Sequence, residues 1–376
     1  MNKKIFWGIV IALIFILLAF SGDKKDTNQS KTSTKPTNTA PTKDPVSTST
    51  VSPSANSVSK SSRLLSIDIS KHDDYNKAFN EAKSAGLQFM QLSLAWDDID
   101  KKSENQDPWG LLGTTNTYYP PSKTGVALMI GPIDTNNNRM PDDLKGKNFD
   151  DPEVIERYKR TIDFVFSKLP NAQLNSLAIG NEIDVYLGSN DKKWQQYTNF
   201  FNQVASYAKS KRPGLKVGAK ATYNGLIKIP ELKLLNQYSD AVFVTYYGIK
   251  DNFDVKYPGQ VKDDMRKITE LYPNKDIQFL ELGYPSSPLL GSSEEKQADF
   301  VREAFKAWDA YNQVKVINFV WSHDVPQSKL DEYAKYYGSS DKKFLAYLGT
   351  LGLKTNDDRA KLAWEALRVE AKARGW

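Results

Sequence analysis

Two glutamates stand where short apolar runs end. One run closes Ala178-Ile179-Gly180-Asn181-Glu182, and the other holds Phe279-Leu280-Glu281-Leu282-Gly283. They lie 99 positions apart, about three strand–helix units. A pair of carboxyl groups meeting over one bond can divide acid–base labour. One stays protonated and gives its proton to a leaving oxygen; the other stays charged and attacks carbon. Cleavage of a glycosidic bond with retention needs this pair, with the carboxyls about 5–5.5 Å apart. Glu182 and Glu281 are the candidates for these two roles.

The elements that must carry them follow from the pattern of residues 63–376. Eight apolar runs recur: Leu64–Ile69, Gln88–Ala95, Gly125–Gly131, Leu174–Gly180, Leu215–Ala219, Ala241–Tyr246, Ile277–Leu282 and Val314–Trp321. Amphipathic stretches separate them. Pro152–Leu169 repeats apolar residues at helical spacing, as do Asp191–Lys211 and Glu294–Tyr311, and Asp151 and Ser293 offer N-caps. Strands that are apolar on both faces, alternating with helices, predict an α/β fold, a closed (β/α)8 TIM barrel. An open doubly wound sheet would carry a glycine-rich turn after its first strand, whereas this turn reads Ser70-Lys71-His72-Asp73. Leu348–Ala373 reads as the closing helix, and Ser322–Tyr347 as a long loop on the active face.

Residues 1–62 belong to another regime. Two lysines precede an unbroken apolar run, Ile5–Phe20, followed by Ser21 after Ala19-Phe20. Residues 1–21 are therefore a signal peptide or an N-terminal membrane anchor. Residues 22–62, rich in Ser, Thr, Lys and Pro, form a tether without a core. The protein is expected to be secreted or anchored on the outer face of the membrane, touching membrane through this segment alone, and to be a monomer.

The formal charge of +6 points to no nucleic acid partner. Residues 1–63 hold nine Lys/Arg and three Asp, so the remainder nets to zero. With no cysteine, disulfides, thiolate metal sites and cysteine nucleophiles are excluded. His72 and His323 have no ligand-spaced companions, and Asp134–Arg139 reads as a turn rather than a calcium loop. No cofactor or metal is expected.

The sequence resembles clan A of the glycoside hydrolases, whose members end strand four in Asn-Glu and strand seven in the nucleophilic Glu. Its local text is similar to the endo-β-1,4-galactanase family at Ile67-Asp68-Ile69-Ser70, Ile179-Gly180-Asn181-Glu182-Ile183, Thr245-Tyr246-Tyr247 and Glu281-Leu282-Gly283-Tyr284-Pro285. The resemblance implies that Glu182 is the acid and later the base, and Glu281 the nucleophile. It implies too that Asn181 binds the sugar 2-hydroxyl and that a tyrosine ending strand six holds Glu281, with Tyr246 first and Tyr247 second. It further implies that Trp321 forms the floor under the sugar. Among the aromatics near strand ends, Trp96 is the other favoured stacking surface for carbohydrate. Clan members usually carry an arginine late on strand two, and here Leu92-Ser93-Leu94-Ala95-Trp96-Asp97-Asp98 has none. Strand three likewise ends Ile130-Gly131-Pro132, without polar residues. The missing arginine supports an alternative, a non-catalytic barrel that binds cell-surface glycan.

Overall fold

A computed structural model describes residues 63–71 and 73–376. The expected leader and tether, and His72, lie outside the described residues. Eight parallel strands form the barrel: β1 (Leu64–Ile67), β2 (Phe89–Ala95), β3 (Gly125–Asp134), β4 (Leu174–Asn181), β5 in two segments (Lys216–Gly218 and Lys220–Thr222), β6 (Ala241–Tyr247), β7 (Asp276–Gly283) and β8 (Val314–Phe319). Pairing runs β2-β3-β4-β5 through the first segment of β5, then β5-β6-β7-β8-β1 through the second. The remaining seam, β1 to β2, is joined by Gln88 N–H donating to the Leu65 carbonyl at 2.9 Å. The cylinder is closed, as the alternation predicted.

Ten helices matter to the barrel and its mouth: α1 (Tyr75–Ser84), α2 (Leu111–Tyr118), α3 (Pro152–Lys168), α4 (Asp191–Lys211), α5 (Pro230–Leu235), α6 (Gln260–Leu271), α7 (Glu294–Ala310), α8 (Gln327–Tyr337), α9 (Lys342–Gly349) and α10 (Leu362–Ala373). Asp151 caps α3 by accepting from Glu153 N–H, and Ser293 caps α7 by accepting from Lys296 N–H. Val154, Ile155, Tyr158, Ile162, Val165 and Phe166 form the buried stripe of α3.

Strand parity sorts the core into two layers. Phe89, Ala127, Met129, Ala178, Ala241, Phe243, Leu280 and Val316 pack together inside the cylinder. Their neighbours Met90, Val126, Leu128, Ile179, Val242, Val244, Phe279 and Ile317 pack outward against the helices.

The region after β8 differs from expectation. The expected long loop folds into α8 and α9, and the expected closing helix from Leu348 is broken: α9 ends at Gly349 and α10 starts only at Leu362. Gly352 explains the break. A Cβ there would meet the Asp324 backbone nitrogen at 2.0 Å, so this chain lies directly against the His323–Asp324 backbone.

Candidate active site

Both glutamates reach the same end of the cylinder by breaking regular strand alternation. On β7, Phe279 and Leu282 both face the helices, and the register against β6 slips between them. That bulge lets Leu280 and Glu281 both project inward. On β4, Gly180 takes φ +84° and Glu182 itself takes φ 44°, ψ 47° before the short helix Ile183–Leu187. A non-glycine residue held in the left-handed region signals a backbone set by its surroundings. Gly180 permits the turn: a Cβ would meet Ile183 Cγ2 at 2.6 Å and the Tyr197 hydroxyl at 2.7 Å. Gly180→Ala is expected to destabilise the fold by roughly 1–3 kcal/mol. Chemical denaturation measures this, and an unchanged midpoint would show that the turn tolerates a side chain.

The two carboxyls have different partners. Among the described residues, Glu182 accepts from two hydroxyls, Thr245 Oγ1 at 2.7 Å and Thr135 Oγ1 at 3.1 Å. Glu281 accepts from the Lys220 ammonium at 2.6 Å on Oε1 and from the Tyr247 hydroxyl at 2.9 Å on Oε2. Neither glutamate has exposed surface. Burial pushes the Glu182 carboxyl well above the usual carboxylate range, and the charge of Glu281 pushes it further. Burial also raises Glu281, but the Lys220 cation and the Tyr247 hydroxyl oppose it. Burial thus raises both carboxyls, and only Glu281 has a cation beside it among the described residues.

Further carboxyls line the same mouth. Asp68 accepts from Gln91 Nε2 at 2.7 Å, and burial raises it to about 7. Asp134 ends β3, where the sequence reading placed a turn; it accepts from Asn181 Nδ2 at 3.0 Å and from the Tyr336 hydroxyl at 2.6 Å. β3 therefore does end in a polar residue, three positions beyond its expected limit. Asn181 is fully buried, and its Oδ1 has no protein partner. Trp321 is buried at the mouth, its ring centroid 6.4 Å from that of Tyr333 of α8.

Two expected site residues lie elsewhere. Tyr246 faces outward and donates to Asp264 Oδ2 of α6 at 3.0 Å, with its ring against Phe300. The inward residues of β6 are Ala241, Phe243, Thr245 and Tyr247, so Tyr247 is the tyrosine that meets Glu281. Trp96 also faces the helices. Its indole N–H donates to Thr161 of α3 at 2.9 Å, and its ring meets Tyr158 edge-on at 4.9 Å. It is a core residue with no exposed surface for a sugar. Asp97 and Asp98 are tied to Arg139 at 2.8 and 3.0 Å. His323 links Ser322 Oγ to Asp358. Among the described residues no cluster of three or more His, Asp or Glu could hold a metal ion.

Helices α8 and α9 cover the mouth. Tyr336 bridges Asp134 and Arg139, and Lys343 of α9 pairs with Asp254 at 2.7 Å. The Tyr337 hydroxyl is buried without a protein partner, within electrostatic reach of Asp134 and Glu182. Thr222, Tyr223, Thr245 and Tyr247 line a cavity of about 60 Å³.

No known family matches the chain by sequence, and neither does any curated protein. Solved structures do match. A GH5_18 protein from Streptomyces cattleya in complex with GlcNAc superposes with TM-score 0.65 at 15% identity, over 83% of this chain and 80% of that one. A variant of it, solved with Manβ1-4GlcNAc, gives 0.64 at 14% over the same shares. The exo-β-1,4-mannosidase of Opitutaceae bacterium strain TAV5 gives 0.66 at 13%, over 86% of this chain and 62% of that one. At such identities the likeness establishes the (β/α)8 fold. None of these three is a galactanase, so that finer likeness rests on the quoted residues alone.

Proposed function

We propose that this protein is a retaining glycoside hydrolase that works by double displacement on a poly- or oligosaccharide. The observation that carries the reading is the division of partners, among the described residues, between two sealed glutamates: two hydroxyls on Glu182, an ammonium and a phenol on Glu281. Glu182 gives its proton to the leaving oxygen while Glu281 attacks the anomeric carbon and forms a glycosyl ester. Glu182, now a carboxylate, then takes a proton from the water that attacks the same carbon and restores Glu281. The open Oδ1 of Asn181 suits a sugar hydroxyl, and Trp321 offers a face beneath the ring.

Both glutamates lack exposed surface and α8 and α9 cover the mouth, so substrate entry would go with a movement of that cover. The absence of an arginine late on β2 supports a second reading, a barrel that binds glycan without cleaving it. The apolar run at Ile5–Phe20 and the Ser-, Thr-, Lys- and Pro-rich stretch behind it support action outside the cytoplasm.

The test is turnover by the full chain on a panel of aryl β-glycosides and oligosaccharides, with product anomers followed by proton NMR. The structural neighbours put β-mannosyl compounds first on the panel. Release of the β-anomer first is the expected result. Release of the α-anomer first would sink the double displacement, and binding without turnover would favour the second reading.

A further inference from the structure

One charged group in the mouth has no place in the double displacement as drawn so far: the Lys220 ammonium. Lys220 lies in the second segment of β5 between Ala219 and Ala221, both of which face the helices. Parity therefore turns Lys220 into the cylinder. It has no exposed surface, and its Nζ sits 2.6 Å from Glu281 Oε1. Tyr247 occupies the other oxygen. Donors on both oxygens fix the orientation of the carboxylate plane.

Among the described residues, the remaining titratable groups facing Glu281 are acids. They are Asp68 from β1, Asp134 from β3, Glu182 from β4, Tyr247 from β6 and Tyr347 from α9. Lys220 exerts its charge on all four carboxyls of this set, Glu281 included. A buried carboxylate with no cation takes up a proton rather than remain charged.

We propose that Lys220 is the positioning residue of this site, holding Glu281 oriented and anionic in the role that an arginine on strand two would otherwise fill. The inference rests on the reading of Glu281 as nucleophile. It also accounts for the charge through the first step. The bond from the anomeric carbon to the leaving oxygen breaks, the bond to Glu281 forms, and the proton of Glu182 goes to the leaving group. One carboxylate is present before the step and one after it, on Glu182 instead of Glu281. Lys220 stays balanced throughout.

The test is titration of the full chain carrying carboxyl-13C glutamate, with Glu182→Gln and Glu281→Gln spectra assigning the two resonances. In the wild type Glu281 should ionise at lower pH than Glu182. In Lys220→Met its midpoint should rise by at least about one unit, the scale of a neighbouring opposite charge. Lys220→Arg, which keeps the cation, should stay close to wild type. On a cleaved aryl glycoside, Lys220→Met should lose about 100-fold in kcat with KM within about threefold, and the acidic limb of its pH profile should move up with the Glu281 midpoint. A residue needed only for folding would leave that limb in place. An unmoved Glu281 midpoint in folded Lys220→Met overturns the proposal. If that variant does not fold, ionisation of Glu182 before Glu281 in the wild type overturns it instead. A wild type that cleaves nothing yet shows the expected order and shift would refute the hydrolase reading while supporting Lys220 as the holder of the Glu281 charge.

Discussion

Glu281→Gln is expected to lower kcat by on the order of 10⁴-fold or more, the largest loss of any single substitution in this protein. The covalent route disappears with the nucleophile, and removal of such a group is felt on that scale. The substitution keeps the shape of the side chain. Its amide oxygen can still accept from Lys220 or Tyr247, the partners now at 2.6 and 2.9 Å. The fold should therefore survive, although the buried Lys220 loses its counter-charge and stability should fall. Two measurements check this. Steady-state kinetics on an aryl β-glycoside gives the loss. Mass spectrometry after incubation with a 2-deoxy-2-fluoro glycoside, which slows release of the ester, should show one added sugar on the wild type and none on Glu281→Gln. Labelling of the variant, or labelling of another residue in the wild type, would remove Glu281 from its assigned role.

The sequence reading succeeded where period and position sufficed. Eight apolar runs separated by amphipathic stretches led to the closed barrel, and Glu182 and Glu281 stand at one mouth because both lie at the C-terminal ends of strands, Glu182 just after β4 and Glu281 near the end of β7. It fell short where parity mattered. Tyr246 was preferred over Tyr247, yet Phe243 and Thr245 point inward and the next inward residue is Tyr247. Counting by two from Phe243 would have found it. The same count from Gly218 turns Lys220 inward, but the apolar run was ended at Ala219 and the lysine passed unnoticed. Trp96 follows directly on β2, and only the packing of α3 shows that its ring turns outward. The bulge at Leu280–Glu281 obeys no period at all, and nothing in the local sequence announces it. The cover was the least legible feature. Ser322–Tyr347 read as a loop, while α8 and α9 gain their place from contacts with distant residues, among them Asp134, Arg139 and Asp254.

Glu182→Gln should separate chemistry from leaving-group help. The wild-type profile should be bell-shaped, with activity lost as pH falls through the Glu281 midpoint and lost again as pH rises through that of Glu182. The second limb lies high because burial, reinforced by the Glu281 charge, keeps the Glu182 proton in place. The amide of the variant has no acidic proton to give, so natural glycosides with poor leaving groups should lose about 10²–10⁴-fold in kcat/KM. Aryl glycosides whose phenolate leaves unaided should form the ester nearly as fast as before, and the alkaline limb of that step should vanish. The second step then lacks its base, so the ester accumulates and kcat falls while KM falls with it. Azide, which needs no base to attack, should restore turnover and yield a β-glycosyl azide. Equal losses for good and poor leaving groups, with the alkaline limb intact, would mean that the proton comes from another residue. Asp68, raised to about 7 by burial at the same mouth, would then be the next carboxyl to test.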